Sequence, residues 1–431
     1  MSVAVTVVQV LVAMTATALA VVALGLLRRH GTGLRRATPW PDVDVILPAH
    51  DEEARLGAAL ASLRAQDYPG AMTIWVVDDR STDATADVAL RAARSDARVR
   101  LVRVTRPSSR RSPKVNAVWH GVQAGTAPWI VTTDADCTHH PRWLRTLLEP
   151  AEGNVALVAG HVETARPGGA RGLLGRVEAL DWISLMITAR SLANAGRKVA
   201  VSANNQAYAR AAWRAAGGFG VAARAPSGDE DLLVQRIGRL PGADVIFVDH
   251  PHARVLTLPM PGWHAFLDQR RRWVSRFHHL QQYPVGYLVP VVTLGIQSIA
   301  LALALVALPL VPHARAPVLS AWGILLAVQL VGMHVGLHQL GRRDLMGWPV
   351  VAWALCHPFV IAIAVTWSLL RPGSWRAGAR SYRRRLLAVR WRRRGRAWWR
   401  RAWWRHPPGR APRRNPATWA PSTTEPNDDR W

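Results

Sequence analysis

The sequence predicts an α/β fold: a domain with a mostly parallel sheet, flanked by transmembrane helices. Two patterns carry this expectation. Between residues 37 and 285, short apolar runs alternate with segments whose apolar residues recur at helical spacing, the order that yields a parallel sheet covered by helices. Outside that region, apolar blocks at residues 3–27, 288–311, 318–340 and 348–370 each approach the ~20 residues needed to cross a bilayer core.

The first block carries no charge and exceeds the ~7–15-residue core of a cleaved signal. Arg28, Arg29, Arg35 and Arg36 follow it, which favours an uncleaved anchor with its carboxyl side in the cytoplasm. The expected organisation is a membrane anchor at 1–36, a cytoplasmic domain at 37–285, a membrane region of two or three spans at 286–371, and a basic, partly disordered tail at 372–431. Such a chain is expected to be integral to a bacterial inner (cytoplasmic) membrane. The span count stays open. Four full spans would place the basic tail outside, against the positive-inside rule, whereas Pro358 at the centre of the last block would suit a re-entrant or interfacial hairpin.

The charge and cysteine content exclude several classes. Cys137 and Cys356 are the two cysteines, too few for a disulfide framework or a zinc cluster. The net charge is +27, and the residues from Arg371 onward hold eighteen arginines against Glu425, Asp428 and Asp429. The same tail holds eight of the 21 tryptophans, a combination suited to a membrane surface carrying anionic lipid. Nucleic-acid binding has no accompanying recognition fold. A compositional preference for Arg also fits, since Lys114 and Lys198 are the lysines of the whole chain.

Within the middle region, residues 44–48 read as a strand ending at proline. Residues 53–66 read as a helix with Leu56, Leu60 and Leu63 on one face. A second strand, 74–77, is stopped by Asp78 and Asp79, and a helix at 81–94 is capped by Ser81 or Thr82. Residues 99–104, 117–124 and 129–132 read as strand, helix and strand. In parallel sheets the ligand sits beyond the carboxyl ends of the strands, which is where His50 to Glu53, Asp78, Asp79, Asp134 and Asp136 collect. No G-x-G-x-x-G follows the first strand and no G-x-x-x-x-G-K-[ST] occurs. A nucleotide held here would depend on carboxylates and a metal.

Alternate residues of a strand share a side, so Asp134 and Asp136 are expected to face one ion. Hard carboxylate oxygens suit Mg2+ or Mn2+, which would neutralise a departing diphosphate. The competing reading is a solvated acidic turn. Position after a buried strand, downstream of Asp78 and Asp79, favours the metal.

The runs Val-Ile-Leu-Pro-Ala-His-Asp-Glu-Glu (45–53), Val-Val-Asp-Asp-Arg-Ser-Thr-Asp (76–83), Asp-Ala-Asp (134–136) and Gln-Arg-Arg-Arg-Trp (269–273) resemble the inverting, family 2 glycosyltransferases with the GT-A fold. The resemblance spans about residues 42 to 275 and implies a nucleotide-sugar donor, most often UDP-linked, with a divalent metal. It implies donor-site roles for Pro48, His50, Glu52, Asp78, Asp79 and Asp134, and a metal-ligand role for Asp136, shared with Asp134 unless that residue instead reaches the ribose or sugar. Lys114 would approach the diphosphate, although Pro113 stands where the family has glycine.

An inverting transfer needs a general base for the acceptor hydroxyl. The family's acidic motif falls on residues 227–233. Reading Glu230-Asp231 as the motif makes Asp231 the base, whereas alignment on Arg236 makes it Glu230, with Asp229 before it. These acids also suit the start of a helix. Residues 204–208 and Gly217, Gly218 and Phe219 resemble the family's pre-acceptor region. Gln269, Arg272 and Trp273 form a Gln-x-x-Arg-Trp motif, implied to line an acceptor and diphosphate site, and an interfacial Trp/Arg belt reads equally from the residues.

The expected function is inverting transfer of a sugar from a nucleotide-sugar to a membrane-associated, lipid acceptor. The alternatives are a processive polysaccharide synthase and a non-enzymatic, membrane-anchored scaffold whose basic tail recruits partners.

Overall fold

A computed structural model describes residues 39–108, 111–164, 172–194, 202–220, 229–274, 285–307 and 315–370, with a few isolated positions besides. Nearly all of the N-terminal apolar block and the whole basic tail lie outside the described residues.

The chain divides into two units. The α/β unit takes residues 30–163 and 198–258. Its strands are β1 (Val43–Ala49), β2 (Met72–Asp79), β3 (Val99–Val104), β4 (Trp129–Thr132), β5 (Cys137–His139), β6 (Val155–Gly160), β7 (Val162–Thr164), β8 (Gln206–Ala209), β9 (Asp244–Val248) and β10 (Val255–Thr257). Its helices are α1 (Leu56–Arg64), α2 (Thr85–Ser95), α3 (Pro113–Ala124), α4 (Trp143–Leu148), α6 (Arg210–Ala215) and α7 (Asp229–Gly238). The helical unit takes the described residues within 164–197 and 259–370 and contains α5 (Gly172–Asn194), α8 (Trp263–Val274), α9 (Val285–Ala307), α10 (Arg315–Gln339) and α11 (Trp348–Leu370).

The main sheet has the order β3-β2-β1-β4-β8-β6-β9. β1, β2, β3 and β4 are mutually parallel, while β8 runs antiparallel to both β4 and β6. The sheet is therefore mixed, and its first four strands are those the apolar runs mark. β1 reaches Ala49, past Pro48, because its pairing with β4 has already stopped at Ile46 and proline's missing N–H leaves no gap there. A smaller sheet pairs β5 with β10 and β10 with β7. Val118, Val122, Ile130, Leu157, Tyr208, Trp213, Leu233 and Ile237 belong to one continuous buried cluster covering a face of the main sheet.

Three local expectations change. α2 begins at Thr85 with no side-chain cap, since Ser81 and Thr82 bond to Asp51 instead. Asp78 and Asp79 are the last two residues of β2, paired with Arg103 and Val104, so the strand ends on the pair and not before it. α11 runs unbroken through Pro358, so the last apolar block is a continuous helix and not a hairpin. α10 and α11 are each long and apolar enough to cross a membrane.

One buried carboxylate ties the start of the sheet together. Asp44, on β1, accepts from the Trp75 indole of β2 (2.8 Å), from Ala127 N ahead of β4 (2.8 Å) and from Arg210 after β8 (2.6 Å). Arg210 also donates to Ala127 O and Val122 O. A Cβ on Gly125 would collide with the same carboxylate. Both charges are buried, so removing one partner strands the other in a low-dielectric site. Asp44→Ala is expected to cost about 3–5 kcal/mol, measured by denaturant unfolding of the full chain, whereas the paired change Asp44→Leu with Arg210→Met should recover much of it.

Candidate functional site

The strand order reverses at β1: β2 and β3 lie on one side, β4 on the other. Ligands of open α/β sheets bind outside the carboxyl ends at such a point. Three segments meet there: residues 50–53 after β1, 78–85 at the end of β2, and 133–136 after β4.

The first two segments are laced to each other. Asp51 N donates to Ser81 Oγ (3.0 Å), Glu52 N to Thr85 Oγ1 (2.7 Å) and Thr82 N to Asp51 Oδ1 (2.7 Å), while Ala84 N donates to Glu53 Oε2 (2.9 Å). His50 Nδ1 lies 2.7 Å from Asp79 O. Asp51 and Arg80 hold φ of 56° and 60°, a left-handed backbone that is unusual outside glycine and asparagine. Strain of this sort persists where surrounding bonds over-determine the loop, as they do here. Asp78 accepts from Ser81 N (3.0 Å), and the fully buried Asp79 is paired with Arg80 (2.7 Å). Pro48 sits within β1, just before this edge.

Asp134 and Asp136 are brought together, but not by strand alternation. β4 ends at Thr132, and Cys137 N donates to Asp134 O (3.1 Å), closing a turn. The chain turns because β5 leaves the main sheet for the smaller one. Ala135 is buried while both aspartates are half-buried, so they share a side through the turn. Lys114, in the first turn of α3, pairs with Asp134 Oδ1 at 2.9 Å. The Cys137 thiol donates weakly to Asp136 Oδ1 (3.6 Å), and Asn204 Nδ2 lies 3.3 Å from its sulfur. Burial pushes that thiol up, with Asp136 and Asp134 adding to the shift, so it stays a neutral donor.

Negative charge accumulates at this edge. Burial drives the Glu52 carboxyl up to about 8; Arg55 opposes the shift, while Asp136, Asp134 and Asp83 reinforce it. Burial is the largest cause of that shift, and the neighbouring carboxylates add to it, so a cation among them would be favoured. Among the described residues no three His, Cys, Asp or Glu side chains form a ready metal cage. The donor set instead fits Mg2+ or Mn2+, ions typically held by one or two carboxylates with substrate phosphates completing the shell.

The remaining candidates fall elsewhere. Residues 229–231 open α7, but the side chains of Asp229, Glu230 and Asp231 lie outside the described residues. Arg236, one turn further, donates to Ala216 O, beside Gly217 and Gly218, which hold φ of 70° and 55°. Gln269, Arg272 and Trp273 lie on α8 of the helical unit. There Trp273 packs edge-on against Trp182 (4.8 Å) and faces Arg270, whose guanidinium carbon is 4.2 Å from its ring. Gln269 accepts from Arg270, and Arg272 lies 3.9 Å from Asp268.

Sequence reading missed His139 and Trp143, which help brace the site from below, and gave Asn205 and Gln206, in the run 204–208, a different role. His139 is buried between Ser62 Oγ (3.0 Å) and Thr133 Oγ1 (2.8 Å), fastening the turn that follows β4 to α1. Asn205 accepts from the Trp143 indole (2.9 Å) and donates to His161 O and Ala253 O (2.8 Å each). Gln206 is fully buried, with neither side-chain amide atom partnered among the described residues. Nothing in the spacing of His139 or Trp143 marks them.

Comparisons with known proteins agree with this geometry. Residues 44–207 match the family described as "Glycosyl transferase family 2". An "N-acetylglucosaminyltransferase" of Mesorhizobium japonicum is 37% identical over 82 residues, 19% of each chain. A "Beta-monoglucosyldiacylglycerol synthase" of Synechocystis is 42% identical over 55 residues, 12% of each chain. The aligned segments thus span a fifth or less of these relatives' length. A mannosyltransferase from Pyrobaculum calidifontis, solved in complex with GDP-Man and Mn2+, shares the fold with a TM-score of 0.53 at 18% identity, covering 84% of this chain and 99% of that one.

Burial holds the His139 imidazole down at about 3, against an ordinary value of 6.5. The folded chain keeps this ring neutral while the unfolded chain protonates it below 6.5, so its contribution is complete above 6.5 and erodes as pH falls towards 3. Lowering the pH from 6.5 to 5 should remove about 2 kcal/mol on this account. Unfolding of the full chain across that range should show the loss, and His139→Leu should make the dependence shallower by one proton.

Proposed function

From the premise that this chain carries a domain of the family 2 glycosyltransferases, over residues 44–207, we propose an inverting transfer of a sugar from a nucleotide-sugar, UDP-linked by preference, to the headgroup of a membrane lipid. The observation that carries the reading is the turn bearing Asp134 and Asp136 at the switch point, with Lys114 paired to Asp134 and the Glu52 carboxyl pushed up beside them. Two helices able to cross a membrane support a lipid acceptor, as does local similarity to a relative named for a glucosyldiacylglycerol product.

Asp136, with Asp134, would hold the divalent ion, and the laced residues 50–53 with Asp78 and Asp79 would form the nucleoside seat. A divalent cation bound there would offset the charge of the departing diphosphate. Lys114 would exchange part of its contact with Asp134 for a diphosphate oxygen, a short move for a flexible ammonium. Glu230 or Asp231, at the start of α7, would take the acceptor hydroxyl proton as that oxygen attacks the anomeric carbon from the side opposite the nucleotide.

The experiment is release of nucleoside diphosphate from a panel of nucleotide-sugars by the purified chain with membrane lipid extract, followed by mass analysis of the products. Release should require magnesium or manganese and yield a lipid bearing one added sugar. Asp136→Ala should lower the rate by about 100-fold or more. Either Glu230→Gln or Asp231→Asn should lower it by about 10²–10⁴-fold with little change in donor KM, and the one that does identifies the base. A ladder of lengthening glycan would favour the processive synthase, and an undiminished biological role for Asp136→Ala would favour the scaffold.

A further inference from the structure

The helical unit contains a buried polar cluster around the stretch of α8 that carries Gln269, Arg272 and Trp273. Asp181 and Trp182 lie on α5, Arg270 and Trp273 on α8, and Trp353 and His357 on α11, one turn apart on the same face. Asp181 accepts from Arg270 Nε, and its other oxygen lies 3.8 Å from His357 Nε2. Trp182 packs against Trp273, which covers the Arg270 guanidinium, and the Trp353 ring lies 4.7 Å from His357. The six side chains are thus continuous.

Within this cluster Trp182 Nε1, Arg270 Nη2, Trp353 Nε1 and His357 Nδ1 are buried without a hydrogen-bond partner among the described residues. Trp182, Arg270 and Trp353 are 5%, 4% and 4% exposed, so bulk water does not serve them. Trp182, Arg270 and Trp353 present donors here, while His357 Nδ1, on a ring whose Nε2 faces Asp181, accepts in the neutral ring. Buried polar groups left unmade are costly and rare, and several in one cluster call for a common partner. Indole and guanidinium nitrogens donate and never accept. The complement is therefore rich in oxygen acceptors. Asp181 already offsets Arg270, so the cluster does not demand an anion. α11, which supplies two of the groups, is apolar enough to lie in a bilayer, where an oxygen-bearing headgroup is the polar part of the surroundings.

We propose that Trp182, Arg270, Trp353 and His357 form a binding site for the oxygen-rich headgroup of a lipid. The proposal rests on the reading of the acceptor as a lipid. Ester and hydroxyl oxygens of a diacylglycerol, or phosphoryl oxygens of a phospholipid, carry the required chemistry.

The test is native mass spectrometry of the full chain in detergent, titrated in separate arms with dioleoylglycerol and dioleoylphosphatidylglycerol. Trp182→Phe with Trp353→Phe keeps the rings and removes two donors. Retention of lipid should weaken by about tenfold or more in at least one arm, with the lipid-free thermal midpoint unchanged. The arm that weakens identifies the headgroup chemistry. His357→Leu, which removes a third group by itself, should weaken the same arm and serves if the double variant does not accumulate. Equal retention by wild type and variants in both arms would overturn the proposal, and would mean that internal water satisfies these donors. Retention involves no sugar donor, so headgroup-dependent binding without transfer to any lipid would sink the sugar-transfer reading alone.

Discussion

The carboxylate of Asp44 holds together the strands on which the candidate site depends. It sits near the start of β1 and takes hydrogen bonds from the chain near β2, β4 and β8 at once. β1 is also where strand order reverses, so the residues that fix its register fix what emerges at its far end. A one-residue slip of β1 against β2 would turn the segment after Ala49 to the opposite face and part His50 and Glu52 from Asp79 and Thr85. The three bonds to Asp44, with Gly125 leaving room for the carboxylate, stand against that slip.

At the opposite edge the chain tolerates what Asp44 avoids. Asp44 is matched by Arg210, whereas Glu52, Asp134 and Asp136 crowd together, with Arg55 paired to Glu52 and Lys114 to Asp134. An edge that repels its own carboxylates is unfavourable for folding alone, and the surrounding lacing holds it in place. Perturbed carboxyls in a cleft are the usual mark of a working site. A divalent ion held by Asp134 and Asp136 would offset the negative charge gathered at this edge.

Much of this was legible in the sequence where periodicity and residue chemistry coincide. The first four strands, the helices between them and the carboxylates at their ends follow from apolar runs and their terminators. The antiparallel insertion of β8 did not, because Gln-Ala-Tyr-Ala lacks the apolar, β-branched run that marks the equally short β4. Asp134 and Asp136 were read as strand neighbours, yet a turn unites them, since the chain leaves one sheet for another at that place. Ser81 and Thr82 look like helix caps by type and spacing, but a partner 30 residues away, Asp51, takes them. Tertiary contacts of this kind leave no local trace. The same holds for Arg270, which the Gln-x-x-Arg-Trp spacing passes over in favour of Arg272, although Arg270 is the arginine buried against Asp181.

Joint binding of a divalent ion and a nucleoside diphosphate is the most direct test of the switch-point site. Free Mn2+ can be followed by electron paramagnetic resonance while the full chain is titrated with and without UDP. UDP should tighten Mn2+ binding by about tenfold or more, beyond the affinity of UDP itself for the ion, and Asp136→Ala should abolish that gain. Equal UDP binding in the presence of a chelator, with no retained Mn2+, would contradict a carboxylate-held metal as the basis of the site.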